Sequence, residues 1–178
     1  MISVEQAFAT VMAHTPALPA ESVALGDSLG RVLAADVCSG ADLPPFDRAA
    51  MDGFALRSAD VTGVPLALRV AGLVAAGRPR ESALEPGQAV QIMTGAPVPE
   101  GADAVLQVEK TRSLDGGARV ELLALVEPGL NVAPRGSEVR TGELVLERGH
   151  WIDPASIAVL ATVGAARVEV GRRPRVAV

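Results

Sequence analysis

Two polar side chains, each directly before a glycine, are the residues of this chain most suited to chemistry. Asp52 precedes Gly53 in the string PPFDRAAMDGFA, and Thr94 precedes Gly95 in the string IMTGAPVPEGADAV. A glycine at such a place allows positive φ and a close backbone approach, so a ligand can reach backbone N–H groups beside the carboxylate or hydroxyl. An ordinary turn is the alternative for either string alone, because Asp-Gly is also a hairpin signal.

The remaining residue types narrow the chemistry that these strings can do. Cys38 is the only cysteine, which excludes an intrachain disulfide and a cysteine-based metal cluster. His14 and His150 have no Cys or His neighbour at ligand spacing, and we expect both to be solvated. The chain has no P-loop string and no serine in a nucleophile elbow. Catalysis would therefore rest on Asp, Glu, Thr, Arg and backbone amides, which suit Mg²⁺ together with phosphate or another oxyanion.

Together the two strings resemble the N-terminal half of the molybdopterin molybdenumtransferases, the family of bacterial MoeA and the E domain of gephyrin. The matching patterns are P-F-D-x-(x)-A-M-D-G-F/Y-A and M-T-G-A-P-V-P-x-G-A-D-A-V, and the resemblance covers most of the 178 residues. It implies insertion of molybdate into adenylylated molybdopterin, with release of AMP and assistance from Mg²⁺. It also implies a homodimer, an active site completed by a pterin-binding domain, and a molybdopterin adenylyltransferase as pathway partner.

The resemblance assigns a role to residues in both strings. It implies that Asp52 is catalytic and binds or orients Mg²⁺, and that the Thr94 hydroxyl donates to the substrate. Gly53, Gly95 and Ala96 are expected to bind the substrate, the last two through their backbone N–H groups. The apolar neighbours of Asp52 indicate a partly buried carboxylate, which would need a cation or a hydrogen-bond donor. For Asp52 and Thr94 alike, the alternative is a side chain that stabilises its own turn.

A third stretch matches the family less well. The family usually has R-x-x-G-E-D or R-R-G-E-D here; Arg135 and Gly136 match, but Ser137 and Glu138 stand where the family has an acidic pair. The resemblance implies that Arg135 and Glu138 bind substrate, and a solvated loop is the alternative. The segment Glu109–Lys110 ends a predicted strand, and we interpret it as an ordinary exposed pair rather than as ligand contacts.

Composition excludes several classes of protein. The net charge of −5 argues against a nucleic-acid-binding surface, which would normally be basic. The N-terminus lacks the basic and apolar regions of a signal peptide, and no apolar run reaches the eighteen or so residues of a membrane span. We therefore expect a cytoplasmic protein with no membrane or nucleic-acid partner.

The pattern of elements predicts a mainly β fold with a few helices. Ser3 is expected to cap a helix that runs to about His14. One face of this helix is apolar: Val4, Phe8, Val11 and Met12. Asp153 is expected to cap a second helix that starts with Pro154 and stops at Gly164. Short runs of β-branched and aliphatic residues predict strands at 21–25, 35–38, 66–74, 89–93, 104–109, 118–126, 143–146 and 166–170.

These elements predict an elongated, two-lobed chain. Residues 40–140, rich in Gly and Pro, are expected to form an irregular β lobe inserted into a small α+β lobe made of residues 17–39 and 141–171. The resemblance implies that the helix in residues 1–16 packs on a downstream domain, and that residues 172–178 open a pterin-binding α/β domain. The chain alone is then expected to be inactive. A non-catalytic scaffold module of the same fold and an unrelated β-rich phosphate-binding protein are the alternatives.

Overall fold

The secondary structure is mainly β with two α-helices, as the sequence predicts. A computed structural model describes residues 2–78, 80 and 82–175. The chain folds into two compact units. One unit combines the described residues up to Ala41 with those from Thr141 onward, and the other spans Asp42–Arg140. No helix in the described part of the chain has the length and hydropathy of a membrane-spanning segment.

The helices are α1 (Val4–Ala13) and α2 (Pro154–Thr162). The strands of the described residues are β1 (Ala20–Ala24), β2 (Val37–Cys38), β3 (Arg48–Ala49), β4 (Gly53–Leu56), β5 (Leu66–Val74), β6 (Gln88–Ile92), β7 (Ala104–Gln107), β8 (Thr111–Leu114), β9 (Arg119–Leu122), β10 (Val132–Ala133), β11 (Leu144–Leu146) and β12 (Arg167–Gly171).

The unit that contains both chain ends is built from α1, α2 and two small antiparallel sheets. Strand β1 pairs with β12, and β2 pairs with β11. Helix α2 begins as predicted, because the Asp153 carboxylate accepts a hydrogen bond from the Ser156 N–H at 2.7 Å and Pro154 occupies the first turn. Gly164 ends it with a positive φ of 80°. The core of this unit consists of Leu33, Ile152, Leu160, Val168 and Val170.

Helix α1 has the predicted cap but no packing partner among the described residues. The Ser3 hydroxyl accepts from the Gln6 N–H, and the Gln6 side chain accepts from the Ser3 N–H, which completes the capping box. No residue of α1 is buried, and Phe8 on its apolar face is 66% exposed. In the described part of the chain, the apolar face of α1 is therefore exposed.

The Asp42–Arg140 unit contains a six-stranded mixed sheet in the order β7-β4-β6-β5-β9-β8. Strands β5 and β6 are parallel, and the other neighbours are antiparallel. The two edge strands are joined by a single 3₁₀ turn, Val108–Lys110. Four residue-to-residue steps of the backbone reach about 15 Å, whereas five strand spacings in a flat sheet measure about 24 Å. The sheet must therefore curl into a half-barrel.

Apolar clusters cover both faces of the central strands. One face carries Phe54, Leu56, Leu106 and Val120, and the other carries Ala55, Val90, Ile92 and Val105. Consequently all four residues of β4 are buried. This strand was not predicted from the sequence, because a strand buried on both faces lacks the alternation of polar and apolar residues.

Several other expectations need correction. The strands β3, β8 and β10 were not predicted, since each is short or polar. The prediction of strand at 104–109 is wrong for its last residues, because β7 ends at Gln107 and the 3₁₀ turn follows. The predicted strand at 118–126 also ends earlier, at Leu122. The strand opening expected within 172–178 lies, from residue 176 onward, outside the described residues.

Candidate functional site

Asp52 and Thr94 are brought together by the pairing of two central strands. Asp52 directly precedes β4, and Thr94 lies two residues beyond the end of β6. The two strands are antiparallel, with Gly53 opposite Ile92, so the start of one meets the end of the other. The Thr94 N–H donates to Asp52 Oδ1 at 2.6 Å, and the Thr94 hydroxyl donates to the same oxygen at 2.7 Å.

These bonds shape the electrostatics of the Asp52 carboxylate. Donation from the Thr94 hydroxyl and N–H lowers the pKa of Asp52 below its usual value, so the group is ionised at neutral pH. Both bonds end on Oδ1, and no group in the described ranges donates to Oδ2. The expectation of a partly buried carboxylate is wrong, because Asp52 and Thr94 are both exposed. A charged oxygen therefore faces solvent from a fixed position.

The hydroxyl of Thr94 has a different role from the one expected. Its single proton is directed at Asp52, so in this arrangement it cannot donate to a substrate. It holds the carboxylate in place and presents only lone pairs to a ligand. In this structure Thr94 is thus a positioning residue for Asp52.

Gly53 is required for a reason that the sequence did not reveal. Its φ is not positive, contrary to the expectation for an Asp-Gly turn. A Cβ at this position would lie 2.0 Å from the carbonyl oxygen of Leu106, in the adjacent strand β7. The glycine therefore permits close strand pairing directly beside Asp52, rather than the approach of a ligand.

The backbone amides of Gly95 and Ala96 are also committed to the fold. Gly95 has the expected positive φ, 81°. Its N–H donates to the Ala49 carbonyl at 2.9 Å, and the Ala96 N–H donates to the Met93 carbonyl at 3.0 Å. The expectation that these two amides face a ligand is therefore wrong in this structure. They rigidify the loop that carries Thr94.

A depression of about 390 Å³ lies beside the Asp52–Thr94 pair. Its lining residues are Met51, Asp52, Thr94, Gln107, Glu109 and Lys110. Glu109 and Lys110 reach it because β7 pairs with β4, with Gln107 opposite Gly53. From the sequence these two residues were expected to be an ordinary exposed pair, and only the strand register shows that they line the same depression as Asp52.

The donor set of the depression fits a magnesium ion that is completed by phosphate. No group of three or more His, Cys, Asp or Glu side chains among the described residues could hold a metal on its own. Mg²⁺ usually keeps several waters and is held by one or two carboxylates plus substrate phosphates. Asp52 and Glu109 supply two carboxylates at the depression. A resident all-protein metal site is thus not formed here, whereas a substrate-assisted one is compatible.

Arg135 and Glu138 lie elsewhere in the same unit, held by ion pairs. Arg135 Nε donates to Asp42 Oδ2 at 2.7 Å, and the Arg135 N–H donates to Asp47 Oδ1 at 2.7 Å. Glu138 accepts from the Arg48 guanidinium. Neither Arg135 nor Glu138 lines the depression beside Asp52. The structure therefore does not bring these two expected substrate ligands to the Asp52–Thr94 pair, and it gives them an internal role.

A serine, a histidine and an aspartate meet in the other unit without forming a nucleophile. His150 is half-buried and its Nε2 lies 2.7 Å from Ser156 Oγ, so the expectation of a solvated ring is wrong. The Ser156 hydroxyl donates its proton to Asp153 Oδ1 at 2.7 Å rather than to the histidine. Ser156 is also buried. This cluster caps α2 and has no activated hydroxyl.

Comparisons with known proteins agree with the two strings and with the fold. A family model described as the MoeA N-terminal region (domain I and II) matches residues 2–164. A molybdopterin molybdenumtransferase of Staphylococcus aureus (strain Mu50 / ATCC 700699) is 38% identical over 184 residues. That of Staphylococcus epidermidis is 35% identical over 181 residues. Each alignment covers 99% of this chain but only 43% of the relative, so the chain spans about two fifths of their length.

The fold is shared with solved structures of the same group. The structure of the molybdopterin biosynthesis moeA protein from Pyrococcus horikoshii OT3 superposes with a TM-score of 0.91 at 34% identity. The match covers 98% of this chain and 47% of that chain. Because the family model spans nearly the whole chain and these relatives agree with it, this chain belongs to the MoeA N-terminal region family, domains I and II.

Proposed function

We propose that this chain acts in molybdenum cofactor biosynthesis as the N-terminal part of a molybdopterin molybdenumtransferase. The reaction would place molybdate on adenylylated molybdopterin and release AMP. The single observation that carries the proposal is the Asp52–Thr94 pair: two distant strings converge on one ionised, exposed carboxylate oxygen. The relatives support the proposal through their name, which describes transfer of molybdenum to molybdopterin.

Asp52 would hold Mg²⁺ through Oδ2, with Glu109 of the same depression as a second carboxylate. When bound, Mg²⁺ would neutralise charge on the phosphate of the substrate and stabilise charge that develops as the anhydride opens. Thr94 would keep the Asp52 carboxylate oriented throughout. Because both bonds to Thr94 are already made, little reorganisation is needed when substrate arrives.

The rest of the active site would come from residues outside this chain. The curated relatives are more than twice as long, since the alignment covers 43% of the Staphylococcus aureus protein. We propose that the pterin dithiolene and molybdate bind in such an additional portion, and that a homodimer places it near Asp52. The adenylylated substrate requires an adenylyltransferase as the preceding enzyme. On this proposal the 178-residue chain alone inserts no molybdate.

The apolar face of α1 favours a second candidate, a non-catalytic interaction module. Val4 and Phe8 on this face are 81% and 66% exposed. A face of this kind is typical of a helix that packs on a partner. The two candidates differ in what Asp52 does: a scaffold would not need its charge.

The proposal is tested with the intact protein that contains this chain. The protein is incubated with adenylylated molybdopterin, molybdate and Mg²⁺, and both AMP release and active cofactor are measured. We expect molybdate-dependent release of AMP with formation of one active cofactor per AMP, and no reaction when Mg²⁺ is chelated. An intact, folded protein that releases no AMP would contradict the proposal and favour the interaction module.

A further inference from the structure

We infer that Lys110 is the contact of this chain for the phosphate of the substrate, and that it acts jointly with the metal held by Asp52. This inference rests on the proposed function and adds a residue to it. Lys110 lines the same depression as Asp52 and Thr94. Its ammonium supplies three hydrogen-bond donors and a compact positive charge, which suits a phosphate oxygen.

The charge of the depression shows why a cation is needed there. Asp52 and Glu109 are both carboxylates, so without Lys110 every charged group of the lining would be anionic and the depression would repel a phosphate. Lys110 reduces that charge but leaves one carboxylate in excess. A bound Mg²⁺ ion would then make the net charge of the depression positive. Phosphate binding at this place should therefore require the lysine and the divalent cation together, and neither alone should suffice.

The backbone holds Lys110 at the depression. It ends the 3₁₀ turn Val108–Lys110, directly before β8. The Leu123 N–H donates to the Lys110 carbonyl at 3.0 Å, and the Val108 N–H donates to the Asp52 carbonyl at 3.2 Å. One end of the turn is thus tied to the residue that follows β9 and the other to Asp52. These bonds hold the backbone of Lys110 beside the depression.

Lys110 differs from the nearest cation in the sequence, Arg112, in having no anionic partner among the described residues. Arg112, two residues along, pairs with Glu121 at 3.2 Å and does not line the depression. None of the ion pairs between described residues involves Lys110. An exposed ammonium without a partner, beside an oriented carboxylate, is available to a ligand. Arg112 is accordingly a matched control for loss of one positive charge.

The first test measures molybdate insertion by the intact protein and by its Lys110→Gln, Lys110→Arg and Arg112→Gln variants. For Lys110→Gln we expect the KM for adenylylated molybdopterin to rise at least about tenfold, because one charge-assisted hydrogen bond is lost. The kcat should change less than about twofold, since the contact is made equally before and during the reaction. Lys110→Arg should keep the KM within about threefold, and Arg112→Gln should leave it unchanged.

Two outcomes would overturn the inference while the proposed function stands. One is an active wild type whose Lys110→Gln variant keeps its KM. The other is a rise of KM in Arg112→Gln as large as that in Lys110→Gln. That result would show that the substrate responds to overall positive charge and not to a contact with Lys110. An inactive wild type would instead overturn the proposed function, and a binding measurement then decides the role of Lys110.

That measurement uses the fact that Lys110 is the only lysine among the 178 residues. Isotope-labelled lysine therefore gives one side-chain NMR signal from these residues, and in the intact protein this signal is assigned by its loss in Lys110→Gln. We expect AMP to move this signal in the presence of Mg²⁺, and the effect to be lost with EDTA or in Asp52→Asn. With an inactive wild type, a signal that moves in this way supports Lys110 as a metal-dependent phosphate contact. A signal that stays fixed overturns that role together with the function.

Discussion

The Asp103 carboxylate accepts hydrogen bonds from both the N–H and the hydroxyl of Ser58, each at 2.6 Å. A similar pairing lies at the other end of β4, where Asp52 accepts from the N–H and hydroxyl of Thr94, although both of those bonds end on Oδ1 and the Ser58 bonds end on separate oxygens. Asp103 directly precedes β7, and Ser58 lies two residues beyond the end of β4. An aspartate bound to a hydroxyl residue is therefore a general means of closing strand ends in this unit.

The repeat supplies an internal control for the proposed site. Asp52 and Thr94 share a depression with Glu109 and Lys110, and neither Asp103 nor Ser58 lines that depression. If these hydrogen bonds served only to close the ends of β4, equivalent substitutions in the Asp52–Thr94 and Asp103–Ser58 pairs should have equal effects on activity. If Asp52 acts on a substrate, only substitutions at its end should lower activity.

Thr94→Ala should lower the kcat of molybdate insertion by about tenfold or more, because a carboxylate without its hydroxyl partner is less well positioned. Thr94→Ser keeps the hydroxyl and should stay within about threefold of the wild type. Ser58→Ala serves as the control and should leave kcat unchanged. Steady-state kinetics of the three variants checks this, and loss of activity in Thr94→Ser as great as in Thr94→Ala would argue against the positioning role.

Gly53→Ala should destabilise the chain by roughly 3 kcal/mol or more, because the new methyl group would overlap the Leu106 carbonyl and separate β4 from β7. Gly95→Ala meets no atom within 4 Å and carries only the strain of a positive φ, about 1–2 kcal/mol. Urea unfolding of both variants measures the difference. Equal stabilities would show that the contact at Gly53 relaxes at little cost.

Stability should fall in acid because hydrogen bonds lower the pKa of three aspartates. Burial opposes the shift at Asp103 but is outweighed by the bonds from Ser58, and bonds from Thr94 and Ser156 lower the pKa of Asp52 and Asp153. Each folded pKa lies below its unfolded value, near 3.8. The resulting stabilisation is thus complete well above that pH and is lost as the pH falls through the folded pKa values.

The expected result is an unfolding free energy that is nearly constant from about pH 7 to pH 5 and declines below about pH 4. Asp103→Asn should be less stable at pH 7 and should show a shallower decline, since one of the linked groups is gone. Urea titrations at pH 7, 5, 4 and 3 provide the comparison. An unchanged slope in the variant would mean that the Ser58 bonds are absent in solution.

Phe8→Ala should change the unfolding free energy of the 178-residue chain by less than about 0.5 kcal/mol, because Phe8 is 66% exposed. Leu106→Ala, at a position that is 1% exposed, is the comparison and should cost about 2–5 kcal/mol. Denaturant unfolding measures both. A cost at Phe8 that approached the cost at Leu106 would reveal packing of α1 that the structure does not show.

The sequence predicted those elements that are encoded by local signals. The caps at Ser3 and Asp153 and the aliphatic run of β5 were all found where expected, because capping residues and a continuous run of strand-forming residues are local signals. Strand β4 was missed because its four residues are all buried, a property conferred by the strands on either side. Its preceding Asp-Gly pair added a misleading turn signal.

The same division applies to the candidate site. Asp52 and Thr94 could be selected from their strings, but their bond to one another depends on the register of β4 and β6. The contributions of Glu109 and Lys110 depend on the register of β4 and β7. Gly53 was predicted to let a ligand approach the backbone. In the structure a glycine is needed there because the backbone of β7 lies too close for a Cβ. The pairing of strands that are distant in the sequence cannot be predicted from a single amino-acid sequence.

The central claim is that Asp52 serves a substrate and not only a strand end. The most direct measurement compares kcat for molybdate insertion in the Asp52→Asn and Asp103→Asn variants of the intact protein. The single amide oxygen of asparagine can accept both Thr94 donors at position 52 but only one of the two Ser58 donors at position 103, so the control variant is the more disruptive one for local bonding. We predict a loss of about 10²-fold for Asp52→Asn and less than about twofold for Asp103→Asn. Similar kcat values in the two variants would contradict the claim and leave Asp52 a strand-end residue.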